Sequence, residues 1–171
     1  VKLYSDINSI EKYHNEFEDY KKEVLRYFEN ILNKEKLSQK EILDSFDLLS
    51  KHFSFYSKTE FFYLDKFFNL SIKDKKIKKN LENFDTIKNE GRAFLNKLFL
   101  ETNSILNQFL VKISKLNSIS IDDLFSMSME EISISISKKD NVKFKIQERK
   151  SNYITFKKSN KKISYEGKNA E

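Results

Sequence analysis

His14 and His52 are the only imidazoles in this chain of 171 residues. They are therefore its only candidates for a neutral-pH base or a nitrogen metal ligand. Neither stands in a metal-spaced pair, and no HExxH pattern occurs. His14 lies beside the apolar stripe of the first predicted helix and His52 beside Phe53, so both read as surface or stripe-edge residues. Carboxylates are plentiful but interleaved with lysine. Glu16, Glu18 and Asp19 read as a solvated helix face, and Asp122 and Asp123 as acids suited to the positive end of a helix. Paired carboxylates do acid–base work when a pocket drives their pKa values apart, and no pocket is legible in a sequence. The Glu-x-x-His pairs of a carboxylate metal bundle are missing, and no serine sits in a glycine-flanked elbow.

Composition removes further classes of chemistry. The only glycines are Gly91 and Gly167, too few for a phosphate loop or a dinucleotide fingerprint, which need close backbone approach to phosphate. With no cysteine, disulfides, zinc–thiolate sites, iron–sulfur clusters and thiol nucleophiles are all excluded. These observations predict a non-enzymatic protein with no catalytic residue, no cofactor and no metal.

The elements that would carry a binding surface are read from periodicity. Proline is absent, so helices can run long. Ile10, Tyr13, Phe17, Tyr20, Val24, Tyr27 and Ile31 recur in alternating steps of three and four, predicting a helix over roughly 6–34 with one buried stripe. Ser38 and Glu41 form a capping box. It opens a second helix to about 70, with a stripe of Ile42, Phe46, Leu49, Phe53, Tyr56, Tyr63, Phe67 and Leu70. A third helix is predicted over about 74–116, on Ile77, Leu81, Phe84, Lys88, Gly91, Leu95, Leu98, Thr102, Ile105, Phe109 and Leu116. Gly91 reads as a packing glycine. Short links require antiparallel neighbours, up-down-up.

Beyond 117 the period changes. Ser120 is placed to cap a short helical turn, and then apolar residues alternate. Ile132, Ile134 and Ile136 are followed by Val142, Phe144 and Ile146, then by Ile154 and Phe156, then by Ile163 and Tyr165. Four short alternating runs with turns between them predict an antiparallel β-meander. The expected fold is therefore α+β and mainly α, with an antiparallel three-helix bundle over 1–118 and a short helix plus four-stranded meander over 119–171.

Two surfaces stand out for partners. Phe55, Phe61, Phe62 and Phe68 lie off the main stripe of the second predicted helix. They give an aromatic-rich face suited to another protein or to self-association. The charge is also uneven. Residues 1–70 hold 11 Lys/Arg against 13 Asp/Glu, whereas residues 138–168 hold 11 against 3. Lys143, Lys145, Tyr153, Lys157 and Lys162 would share the outer face of the meander, with Arg149, Lys150, Lys158 and Lys161 at its turns. Such a face could hold nucleic acid or another polyanion, or keep strand edges from pairing. No segment approaches the roughly 18 apolar residues of a membrane span. A start at Val1 rather than Met suggests an excised or processed domain, and the composition suits a surface-exposed or secreted module more than a cytoplasmic one. The leading expectation is a protein-binding or scaffold module, and the alternative is polyanion binding.

Overall fold

The computed structural model describes residues 7–60, 75–135, 153–158 and 161–166. The elements in chain order are α1 (Ile7–Asn33), α2 (Gln39–Glu60), α3 (Lys75–Leu95), a π-helical turn (Asn96–Leu100), α4 (Ile105–Asn117), α5 (Ile121–Phe125), α6 (Met129–Ser135), β1 (Tyr153–Lys158) and β2 (Lys161–Glu166). The chain divides into two compact units, one of Val1–Lys34 and Ser45–Phe109, the other of Glu35–Asp44 and Leu110–Glu171.

The first unit is built on aromatic residues. α1 buries Ile10, Tyr13, Phe17, Tyr20, Val24, Phe28 and Ile31. The stripe departs from the expected one at Phe28, which replaces Tyr27. A straight helix of 3.6 residues per turn drifts off a strict seven-residue repeat, and one step of four absorbs the drift. Tyr13 donates a hydrogen bond to the carbonyl of Phe55 (2.7 Å) and Tyr20 to that of Leu48 (3.0 Å). The rising numbers on α1 thus meet falling numbers on α2, so the two run antiparallel. On the other side, Phe17 meets Phe94 edge-to-face with centroids 6.1 Å apart, and Phe28 meets Phe109 at 5.5 Å. Burying each such ring contributes about 1.5–3 kcal/mol.

α3 and the π turn after it bury Phe84, Gly91 and Leu98 seven apart, beginning from the half-buried Ile77. The expected stripe is correct along that line. On its second line Leu81 is buried as expected, but further along Ile87 and Phe94 are buried in place of Lys88 and Leu95. The predicted third helix is also interrupted. Glu101 N donates to Asn96 O (3.0 Å), the i+5 bond that closes the π turn, and Glu101 is extended at ψ 150°. Ser104 then restarts the helix, its hydroxyl accepting from Asn107 N (3.3 Å), as an N-cap serine does.

In the second unit, the capping box at the start of α2 forms as read. Ser38 N donates to Glu41 Oε2 (2.8 Å) and Glu41 N to Ser38 Oγ (3.2 Å). Asp123 N donates to Ser120 Oγ (3.1 Å), capping α5. Ser118, at φ 54°, ends α4 in the left-handed conformation common after helices.

The α+β class with a four-stranded meander is overturned, because the described residues are predominantly helical. Ile132 and Ile134 lie in α6, not in a strand. A second capping box explains this: Ser128 N donates to Glu131 Oε2 (2.8 Å) and Glu131 N to Ser128 Oγ (3.2 Å). Two residues turn a helix by about 200°, so Ile132 is buried while Ile134 is exposed. A strand would put both on one face. Ser133 and Ser135 donate back to the carbonyls of Glu130 and Ile132 (2.7 and 2.8 Å), which satisfies their hydroxyls inside the helix. Ile136 and the run from Val142 to Ile146 lie outside the described residues. β1 and β2 pair antiparallel, from Tyr153 opposite Glu166 to Lys158 opposite Lys161, and they are the only paired strands among the described residues.

Candidate functional site

Two places in the first unit gather titratable side chains, one around each histidine. His52 is fully buried, 0% exposed, inside a cage of rings. Its centroid is 6.1 Å from Phe17 and from Tyr20, 5.6 Å from Phe94 and 6.5 Å from Phe99. Neither ring nitrogen has a hydrogen-bond partner among the described residues. Burial therefore dominates its ionisation and pushes its pKa down from 6.5 to about 4, against a weaker opposing pull from the backbone of Gly91. Gly91 is itself buried on α3, where the missing side chain leaves its backbone within reach of the imidazole. Burial also raises the Tyr20 phenol, with help from Glu23 and against the backbone of His52.

His52 takes the place on the stripe that the sequence assigns to Phe53. Phe53 instead points outward, 51% exposed, and stacks on Phe99 at 5.2 Å. Leu100, next in the chain at the end of the π turn, is 70% exposed. Phe55 lies on the buried stripe, 8% exposed, against Tyr13, Phe17 and Tyr20. It belongs to the core, whereas Phe53 and Leu100 are exposed and Phe99, against Phe53, is half-buried. Polarity decided between neighbouring positions at the stripe edge, and it picked the phenyl over the imidazole. Phe61, Phe62 and Phe68 lie outside the described residues.

His14 is in the opposite situation. Its Nε2 is 3.0 Å from Glu90 Oε2 and 3.5 Å from Glu18 Oε1, one turn along α1. Lys21 pairs with Glu18 and lies 3.7 Å from Glu90, its ammonium 5.0 Å from the Phe17 ring centroid. Burial alone would raise the Glu18 pKa. The hydrogen bond from Lys21, with the charges of Lys21, His14 and Lys22, outweighs it and holds the carboxyl below its ordinary value. Of the other carboxylates in that run, Glu16 reaches Lys12 (4.0 Å) and Asp19 reaches Lys22 (3.6 Å) in exposed pairs. Spacing along the chain could not place Glu90 beside His14, since 76 residues separate them. The i, i+4 relation of His14 and Glu18 was the one legible signal.

Of the basic positions, Tyr153, Lys157 and Lys158 lie on β1 and Lys161 and Lys162 on β2. Lys157 is opposite Lys162 and Lys158 opposite Lys161. Lys143, Lys145, Arg149 and Lys150 lie outside the described residues. Among the described residues, no helix is long and apolar enough to cross a membrane. No family model matches the chain, and no curated protein or solved structure matches it significantly.

Proposed function

We propose that the chain is a non-catalytic protein-binding module that engages an apolar surface on another chain through Phe53, Phe99 and Leu100. The observation that supports this is that the exposed Phe53 stacks on Phe99 and that Leu100, the next residue along the π turn, is mostly in water. Large apolar groups held together in solvent by a packed helical scaffold are what an interface anchor requires. A second copy is the simplest occupant, since an aromatic ledge can stack on its own equivalent. Sedimentation equilibrium across a range of concentrations tests this. Self-association is expected, and Phe53→Ser with Leu100→Ser should weaken it at least tenfold while the circular dichroism is unchanged. A monomer at every concentration, or assembly indifferent to the double substitution, contradicts the reading.

A second reading has one observation in its favour. Lys157 pairs with Lys162 and Lys158 with Lys161 in the hairpin register, so four lysines gather at its turn end, and clustered positive charge attracts polyanions. The expectation is heparin or DNA binding that falls steeply with salt. Absence of binding at low salt removes it.

A further inference from the structure

We propose that His14, Glu18 and Glu90 form a binding site for a divalent cation of the zinc class, which would pin α1 to α3 on the first unit's surface. The three donor atoms all lie within 4.8 Å of one another. Ligand atoms on a tetrahedral zinc with bonds of about 2.0–2.1 Å are separated by roughly 3.3–3.5 Å. The imidazole nitrogen is already 3.0 Å and 3.5 Å from the two carboxylates, so small rotations of side chains suffice. His14 and Glu18 are fixed relative to each other by one turn of α1, and Glu90 is supplied by α3.

The donor set selects the metal. One nitrogen and two carboxylate oxygens suit zinc, cobalt or nickel, whereas magnesium and calcium prefer oxygen alone. The three side chains are 34–37% exposed, leaving a path for an ion and a remaining position for water. The ammonium of Lys21 already pairs with Glu18 and lies 3.7 Å from Glu90, two of the three donors. It acts as a built-in competitor that an incoming dication must displace, and the face of Phe17 gives it a neighbouring resting place. The sign of its effect distinguishes a metal site from an ion-pair network. Removing Lys21 weakens a network, but strengthens a metal site.

Titration of the full chain with Co²⁺, followed by visible d–d absorption and by competition with Zn²⁺, tests the proposal. One equivalent should bind, and Zn²⁺ should bleach the band. Lys21→Met should tighten binding at least fivefold, and His14→Ala or Glu90→Gln should weaken it at least tenfold with the helical dichroism unchanged. The other histidine is buried in the aromatic cage, so loss on replacing His14 reports this site. Glu18→Gln serves as a second variant should one of these fail to fold. Absence of a band in both the parent and Lys21→Met overturns the site, and so does a band that survives His14→Ala.

Discussion

The two histidines of one helical unit occupy opposite environments. His52 lies among aromatic rings and has no hydrogen-bond partner to its ring nitrogens among the described residues, whereas His14 has two carboxylates within 3.5 Å and is partly in water. The same imidazole is in one place a flat packing element and in the other a polar joint between two helices. What separates them is the neighbouring helix. α3 brings Phe94 and Gly91 to His52, and it brings Glu90 to His14. Consecutive positions on α3 thus serve a dry face and a wet edge, and each histidine takes its character from the one it meets.

The comparison can be broken most forcefully at the cage. Phe17 touches Tyr20, His52, Phe55 and Phe94, so Phe17→Ala should cost about 3–5 kcal/mol in chemical denaturation. A loss below about 1 kcal/mol would mean the cage is loosely packed. Next in size is acidification. With a native pKa near 4 against an ordinary 6.5, the unfolded state binds a proton in that interval and the native state does not. The contribution of His52 is therefore complete above pH 6.5 and is lost as pH falls towards 4, by about 3 kcal/mol. In His52→Leu this slope should vanish between pH 6.5 and 4, with stability at pH 7 equal to or above the parent, because no unpartnered polar atoms remain buried. Equal slopes in parent and variant would place the acid sensitivity elsewhere. The smallest effect belongs to the wet edge. Glu90→Gln should cost less than about 1 kcal/mol, and the difference should shrink in high salt. A salt-independent loss of several kcal/mol would show that the edge is as buried as the cage.

The helical half of the molecule was legible in its main lines and illegible in its phase. Apolar spacing locates α1 and the line through Phe84, Gly91 and Leu98, because in a 3.6-residue helix those positions return to one face. It fails at Phe53 and His52, and again at Leu95 and Phe94. Two adjacent residues there flank the edge of the stripe, and only a neighbouring helix decides which turns inward. The break at 101–104 was hidden because an i+5 turn keeps the side-chain spacing close to helical until Ser104 restarts the helix. The strand reading of Ile132 and Ile134 failed for a different reason. Ser128 and Glu131 repeat the box found at Ser38 and Glu41, and a start signal is local information that a three-isoleucine alternation should not outweigh. An excess of aromatics on the second helix was legible. Which of them reach solvent was not, since that depends on the π turn that sets Phe99 against Phe53.

The central claim is that packing of α1, α2 and α3 seals His52 in its neutral form. The direct measurement is the imidazole chemical shift of His52 followed by NMR from pH 8 down to the acid unfolding transition. The account predicts that His52 stays neutral until the pH approaches 4 or the protein unfolds. A native-state titration near 6.5 would contradict it, because an imidazole that ionises at its ordinary pKa is in contact with water.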